Sequence, residues 1–585
     1  MDTHATGPDP VRVDDGAHVL STLFERDADS NEVRLSSPVS DGWDDLTGAD
    51  VVSHVRSVAA GLIAAGLAPG DRVALLSPTR WEWAVADMGI LAAGGATVPI
   101  YDTASDDQIA HVIRDAEPRA AIVATERHAE VLREASGSRT SPDPIVVLDA
   151  GGLDSLANRA GHDEFDEVDR RVEQIRGDDV ASLVYTSGTT GDPKGCILTH
   201  RNLVWTSRQV VHRLGDHVGP DDSTLLFLPL AHIFTRVVQF ACIEAGARVG
   251  FARSIDDLPD DLRSFQPTFL LAVPRVFEKV VRSARREATG VRGVVFDLAE
   301  RAGTAWSRSS RPGPHLRAAR AAADRLVYTK LRAGIGGRVR FCVSGGAPLD
   351  QDLAHFFRAA GIPILEGYGL TETSAPAAVN TPEDLRIGSV GRPIPGVSIR
   401  IADDGEIQVR GESVFAGYHQ LDDETASSFD DGWYRTGDLG EIDEDGYLMI
   451  GDRKKDLIVT AGGKNVSPGP LEQKVTAHRL VSNAVVIGDD RPFVALLVTL
   501  DDDERERLGL SGDPNDDGQV REAVSAAVEE ANAGVSKAES IREFLVLDRD
   551  FSVEEGELTQ TMKPRRATIA EHFADEIESL YASDR

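Results

Sequence analysis

The sequence predicts an α/β protein of two unequal parts: a large N-terminal domain of mixed and parallel sheets flanked by helices, with a small β subdomain, and a small mobile α+β C-terminal domain. Three observations predict it. Short apolar runs alternate with amphipathic helical stretches between residues 47 and 147, the pattern of a largely parallel sheet. From about residue 391 the texture changes to short alternating runs, which suit a β-rich subdomain at 391–451. At 585 residues the chain exceeds one hydrophobic core. The charged stretch 451–456 has the composition of a hinge, dividing the chain into 1–451 and 452–585.

Taken in order, residues 1–45 form a lead-in ending in a strand or two. Thr47 can cap a helix whose apolar positions Val51, Val52, Val55, Val58, Leu62 and Ile63 share one face, with Gly66 as its stop. Strands at 71–76, 98–100, 120–123 and 145–147 alternate with helices at 80–93, 104–116 and 127–136. Residues 150–178 are polar and acidic with little periodicity, and are expected to be a surface excursion. Strands at 181–184 and 196–198 flank a loop, a helix occupies 201–211, and the strand 224–228 delivers His232. Strands at 338–343 and 363–365 each end in a glycine-rich exit.

The loop at 185–195 is the most informative stretch. Its glycines free the backbone to turn and expose N–H groups, its hydroxyls add short donors, and Lys194 supplies a mobile cation, a combination able to wrap a polyphosphate. It is not the P-loop of kinases and GTPases, which needs Gly-Lys-Ser/Thr opening a helix, because Pro193 precedes the lysine and a β run follows. The exits at 344–348 and 366–373 suit a planar ring lying against backbone, and Glu372 offers a hard oxygen ligand for a metal.

Composition narrows the class. A net charge of −34 argues against nucleic acid as a partner, since phosphate neutralisation needs a basic surface. Three cysteines, Cys196, Cys242 and Cys342, show no paired spacing, which excludes a disulfide framework and a cysteine-based zinc site and fits a reducing, cytoplasmic setting. No signal peptide is expected at the polar start, and no apolar run is long enough to span a bilayer. One segment reverses the charge balance: residues 275–340 hold sixteen Arg/Lys against five Asp/Glu. Two readings compete for it, a pair of solvated helices around Pro312-Gly313-Pro314, or a basic ledge that meets anionic headgroups at the inner membrane face or the phosphates of a nucleotide carrier. The acidic run 501–506 reads as a solvated rim.

The set formed by residues 185–195, 229–234, 367–372, 434–438, 451–456 and the tail around Lys563 resembles the AMP-forming adenylating superfamily over roughly residues 40–575. Within it the chain looks most like bacterial long-chain fatty-acyl-CoA synthetases, through residues 231–234, 274–279, the helical stretch 282–332 and 462–468. The resemblance implies ATP, Mg²⁺ and coenzyme A acting on a fatty acid in two half-reactions: acyl-AMP forms with loss of pyrophosphate, then a thiol displaces AMP. It implies a phosphate loop of Thr186, Ser187, Gly188, Thr189, Thr190, Gly191 and Lys194, adenine against Gly345, Gly346, Ala347, Gly367, Tyr368 and Gly369, and ribose on Asp438 with Arg453 and Lys455 beside it. Thr186 and Glu372 would contact the metal. Lys563, Thr371, Glu372 and His232 would form the catalytic set. Asp452 would be the hinge, and Gly462, Gly463 and Lys464 would line the pantetheine channel. The acyl pocket would run from His232 toward Val237, Val238 and Phe240. The chain departs from the commonest family tail, which has glycine before the lysine: Met562 stands there and Pro564 follows, which leaves Arg565 as the alternative cation. The other activities left open are an acyl-AMP ligase serving a carrier protein and an aryl or medium-chain synthetase. An amino acid substrate would call for an acidic residue near Thr235, where none stands. A silent nucleotide-binding scaffold is disfavoured by the survival of the loop, Glu372, Asp438 and Lys563 together.

Overall fold

The computed structural model describes residues 3–40, 42–136, 141–186, 193–288, 290–462, 464–510, 513–537, 539–559 and 562–582. Its centre is a seven-stranded sheet in the order Gly417–Tyr418, Lys194–Thr199, Val180–Thr186, Ala96–Ile100, Arg72–Leu76, Ala120–Val123 and Ile145–Val147. The inner strands run parallel, and all five residues of Ala96–Ile100 are buried, as expected where helices cover both faces. Thr47 closes a capping box with Asp50 at the start of helix Gly48–Ala64, and Gly66 ends the turn after it at φ +87°.

Three more sheets complete the large N-terminal part. One places Phe269–Ala272, Phe341–Ser344 and Ile364–Leu370 in parallel, then turns back antiparallel through Ala375–Val379. A second joins Ser223–Leu226 and Arg248–Phe251 to the early strands Val33–Val39 and Gly42–Thr47. The third is the antiparallel β-rich unit built on Ser398–Ile401, Glu406–Arg410, Trp433–Ile442 and Leu448–Arg453. Its edge is His4–Thr6, which pairs with Ser398–Ile401, so the start of the chain closes a sheet formed almost 400 residues later. The smaller C-terminal part holds the sheet Val481–Ile487, Val494–Leu500 and Ile541–Val546. Along Val494–Leu500, Val494, Leu496 and Val498 enter one apolar cluster while Ala495 and Leu497 enter another, so this strand is buried on both faces.

Two expectations need correction. Residues 150–178 are not an irregular excursion: they form helices Gly152–Ala157 and His162–Gln174, and the second lays Phe165, Val168 and Val172 against the Gly48–Ala64 helix. That spacing of three and four residues is helical, but the surrounding charge hides it. The acidic run at 501–506 is not merely a solvated rim either, because Asp501 and Asp503 meet Arg282 and Arg286 of helix Pro274–Glu287. The remaining basic segment forms helices Val291–Arg308 and Pro314–Ala323 on either side of the Pro312 turn. No helix of the described residues is long and apolar enough to cross a membrane.

One buried ion pair locks together the elements that carry the site. Arg236, in helix Ile233–Ala245, donates to both carboxylate oxygens of Asp87 at 2.8 and 2.6 Å and to Ser182 Oγ at 2.6 Å, and Thr97 Oγ1 donates to Asp87 at 2.7 Å. Arg236 and Asp87 have no solvent exposure. Such a pair offsets its own desolvation only while intact, and losing one partner from a buried pair costs about 3–5 kcal/mol. Its consequence is geometric: strand Val180–Thr186 and the helix Ile233–Ala245 keep a fixed separation.

Candidate active site

A cleft of about 1680 Å³ lies between the large part and the small C-terminal part, with residues from both in its walls. Its floor begins at the hairpin Val180–Thr186 and Lys194–Thr199, whose register sets Thr186 opposite Lys194 and Val184 opposite Cys196. Ser187, Gly188, Thr189, Thr190 and Gly191 lie outside the described residues. Lys194 pairs with Glu424 and stands 5.5 Å from the Tyr418 ring centre.

Glu372 sits in a 3₁₀ turn, Thr371–Thr373, at the end of strand Ile364–Leu370, and Thr371 lines the cleft beside it. The Glu372 carboxylate accepts from Tyr418 Oη at 3.0 Å, and its backbone oxygen accepts from the Phe415 N–H at 2.8 Å. Glu372 and Thr186 both act on the buried Cys196 thiol, so the carboxylate and the hydroxyl expected to hold a metal lie close to one another. Burial first, and Glu372 second, push that thiol well up, which keeps Cys196 protonated and unreactive. Two hard oxygens fit Mg²⁺ or a similar cation whose remaining positions come from phosphate and water. Among the described residues no cluster of three or more His, Cys, Asp or Glu could hold a metal without such a ligand.

The glycine-rich exits bring backbone close to backbone. A Cβ at Gly369 would fall 2.1 Å from the Ala375 carbonyl oxygen, and one at Gly345 would meet the Phe234 ring at 3.3 Å and the Gly367 carbonyl oxygen at 3.6 Å. Gly346 takes φ +83°, where glycine is favoured. Gly345, Gly346, Ala347, Gly367, Tyr368 and Gly369 all line the cleft. Two further wall residues, Ser344 and Glu366, lie in these exits but received no role of their own from the sequence. The Ser344 hydroxyl is buried and has no hydrogen-bond partner among the described residues. Burial pushes the Glu366 carboxyl up to about 7, against the N–H groups of Leu349 and Gly388 that favour its charge. The signal for both was a polar residue at the end of an apolar strand.

Asp438 is buried at the other wall. It accepts from Tyr368 Oη at 2.6 Å and pairs with Arg453 Nε at 3.1 Å, and the two residues face each other in register between strands Trp433–Ile442 and Leu448–Arg453. Asp452 belongs to the second strand, so the expected hinge residue is part of a sheet edge. Its carboxylate accepts from the Gly469 N–H at 3.2 Å, at the start of helix Pro468–Thr476. Lys455 follows in the 3₁₀ turn Lys454–Asp456, where burial and then Arg453 lower its basicity.

Lys563 enters the cleft from the small part. Met562 before it takes φ +63°, and the turn closes through Met562 N–H to the Thr559 carbonyl and Thr559 N–H to the Lys563 carbonyl, both at 2.8 Å. A left-handed residue is required there, which gives the family's glycine its physical reason and makes Met562 a strained replacement. Solvent reaches Lys563, yet protein crowds it: desolvation first and Arg453 second lower it to about 8, while Asp438 and Asp456 pull the other way. Arg565 also lines the cleft, but it is Lys563 whose charge acts on His232.

His232 caps the helix Ile233–Ala245. Its Nδ1 accepts from the Phe234 N–H at 3.2 Å, which leaves the proton on Nε2. Burial first and Lys563 second lower it to about 4, so it is a neutral wall residue rather than a base. Beyond it the cleft continues as an apolar branch between helices His200–Leu214 and Ile233–Ala245, past Val211, Leu214, Val237, Val238 and Ala241. Phe240 is packed into the core and does not line this branch, contrary to expectation. Gly462 and Lys464 also stay out of the cleft wall, and Lys464 pairs with Glu539 at 3.2 Å. Gly463 lies outside the described residues.

The family profile of the AMP-binding enzyme matches residues 24–419, and that of the AMP-binding enzyme C-terminal domain matches residues 455–585. The chain belongs to the AMP-binding enzyme family. Among the relatives of this AMP-binding enzyme is the long-chain-fatty-acid–CoA ligase FadD15 of Mycobacterium bovis, 44% identical over 98% of each chain. The human long-chain-fatty-acid–CoA ligase ACSBG1 is 30% identical over 100% of this chain and 88% of its own. Among solved structures, ATP-bound MatB from Rhodopseudomonas palustris superposes with a TM-score of 0.71 at 26% identity, covering 96% of this chain and 99% of that one.

The lowered basicity of Lys563 is directly measurable. Competitive acylation of lysines followed by mass spectrometry should give Lys563 a reactivity midpoint near pH 8, against about 10.4 for a solvated lysine. Arg453→Leu should move that midpoint upward. A Lys563 midpoint near 10 in the unmodified protein would contradict the crowded placement.

Proposed function

We propose that the chain activates a long-chain fatty acid with ATP, through an acyl-AMP intermediate, to give acyl-CoA, AMP and pyrophosphate. The observation that carries this reading is the apolar branch beside His232, opening off a cleft that holds the family's charged residues. The 44% identity over nearly the whole length of a mycobacterial long-chain-fatty-acid–CoA ligase supports it.

In the first half-reaction a carboxylate oxygen of the fatty acid bonds to the α-phosphorus, and the bond to the leaving pyrophosphate breaks with its electron pair. Both reactants are anionic, so the site must cancel charge and fix an in-line approach. Lys563 bridges the two anions from the small part, and its charge counts most where negative charge grows on the α-phosphate. Thr186, Lys194 and the loop between them hold the β- and γ-phosphates, and Thr371 lies near the α-phosphate. Adenine rests on Gly345-Gly346-Ala347 and the strand at 367–369, with the ribose on Asp438. Mg²⁺ bound with the triphosphate would be held by Thr186 and Glu372, and would supply neutralisation of the phosphate oxygens.

In the second half-reaction the thiol of coenzyme A bonds to the acyl carbon, the bond to AMP breaks, and the thiol proton leaves to solvent. The small C-terminal part turns about Asp452, withdraws Lys563 and brings Gly462, Gly463 and Lys464 toward the thiol's path. The position of Gly462 and Lys464 away from the cleft in this arrangement fits that exchange. Neutral His232 shields the acyl carboxylate and does not abstract a proton.

A long-chain acid dissolves in membranes, and we propose that the helices after residue 290 meet an anionic bilayer surface. Val291, Val294 and Leu298 lie on one face of helix Val291–Arg308 and are 81%, 60% and 60% exposed. Exposed Arg301 continues that face, and exposed Arg292, Arg317 and Arg325 belong to the same basic segment, in a chain of net charge −34. Each basic residue near such a surface contributes about 1 kcal/mol.

Two measurements test these readings. ATP-to-AMP turnover across fatty acids of graded length, with and without coenzyme A, should rise with chain length at about 0.8 kcal/mol for each CH₂ buried until the branch is full. In the same assay Asp452→Pro should form acyl-AMP at nearly the normal rate and lose most thioester formation. A preference for aryl acids, or thioester formed only on a carrier protein, would overturn the assignment. For the membrane, cosedimentation should favour phosphatidylglycerol over phosphatidylcholine vesicles and should weaken in Leu298→Asp. Equal partition to both vesicles would remove the proposal.

A further inference from the structure

Helix Pro274–Glu287 presents Arg275, Arg282 and Arg286 at intervals of seven and four residues, which places all three on one stripe. That stripe faces the small C-terminal part. Arg282 Nη1 pairs with Asp501 Oδ2 at 2.9 Å, and one turn further on Arg286 Nη1 pairs with Asp503 Oδ2 at 2.7 Å. At the cleft end Arg275 donates to the side-chain oxygen of Asn483, a buried residue that in turn donates to Asp550 at 2.6 Å. Among the described residues, Arg282–Asp501 and Arg286–Asp503 are the only ion pairs that join the two parts outside the connecting segment, whose Arg453 and Lys454 pair with Asp438, Asp404 and Glu406. Glu278 and Asp550 also act on Arg275, and Glu278 and Asp501 both face Arg282, so the stripe meets carboxylates from its own helix and from the small part.

We propose that Arg282–Asp501 and Arg286–Asp503 form an electrostatic latch that holds the small part in the orientation that delivers Lys563 to the cleft, and that must open for the thiol step. They are positioning residues for adenylation, acting through Lys563. The proposal rests on the alternation described above and adds what favours one of its two states. Exposure ranks the two pairs. Arg282 and Asp501 are 24% and 19% exposed, so water screens them less than Arg286 and Asp503, at 42% and 66%, and the inner pair contributes more. The latch draws on the basic segment and the acidic run, which also make pairs within their own parts, Arg285 with Glu300 and Glu504 with Arg479 and Arg507. Salt is its natural antagonist.

The test separates the half-reactions. Arg282→Gln and Asp501→Asn remove the inner pair's charges, and asparagine still caps helix Asp502–Leu508, so the small part keeps its fold. Rapid-quench formation of acyl-AMP without coenzyme A should slow about fivefold in each single variant, a change of ~1 kcal/mol. The double variant should be no slower than the slower single. Thioester formation from supplied acyl-AMP should be unchanged or faster. Raising salt from about 0.05 to about 0.5 M, which shortens the screening length severalfold, should slow adenylation more in the parent enzyme than in the double variant. Single variants that match the parent in both steps, losses that simply multiply, or equal loss of both steps would overturn the latch. Asp452→Pro distinguishes this failure from that of the alternation itself. If that variant loses both half-reactions equally, alternation fails; if it separates them while the latch variants do not, only the latch fails.

Discussion

The pairing of Asp438 with Arg453 is the contact on which the cleft depends. It joins the last two strands of the large part, and the chain that leaves Arg453 becomes the connection to the small part. It also sets the local field, because Arg453 lowers the basicity of Lys563 while Asp438 and Asp456 restore part of it. Two unit charges 4 Å apart at an effective dielectric of about 20 interact by about 4 kcal/mol, so a few such groups decide how firmly a crowded lysine keeps its proton. A carboxylate, a guanidinium and an ammonium thus meet at the boundary between the two parts.

The rest of the large part holds that meeting point still. The buried Asp87–Arg236 pair fixes helix Ile233–Ala245 against strand Val180–Thr186 through Ser182. Tyr418 and Cys196 close off the space beneath Glu372, with one hydroxyl donating to the carboxylate and one thiol kept neutral. Neutral His232 then separates the ionic end of the cleft from its apolar branch. A fatty acid needs both environments within the length of one molecule.

Much of this was legible in the sequence because it is local. Thr47 announces a helix start within three residues, and the alternation of strands and helices up to residue 147 is read directly from periodicity. The glycine-rich exits could be placed at strand ends for the same reason. What stayed hidden depends on partners far along the chain. His4–Thr6 pairs with Ser398–Ile401, Tyr418 supports Glu372 through a strand next to Cys196, and the arginine stripe meets carboxylates more than 200 residues away. The helix His162–Gln174 was missed for another reason: its three apolar residues are outnumbered by charge, and packing against a neighbouring helix decides its structure. At residue 562 the sequence showed a departure from the family's glycine, and only the backbone angle explained why glycine belongs there.

In the proposed function, a lysine contributed by the small part completes a triphosphate site in the large one. The most direct measurement is acyl-AMP formation by Lys563→Ala, set beside thioester formation by the same variant from supplied acyl-AMP and coenzyme A. The first should be lost by several orders of magnitude while the second stays near the parent rate. Adenylation preserved in Lys563→Ala would contradict it.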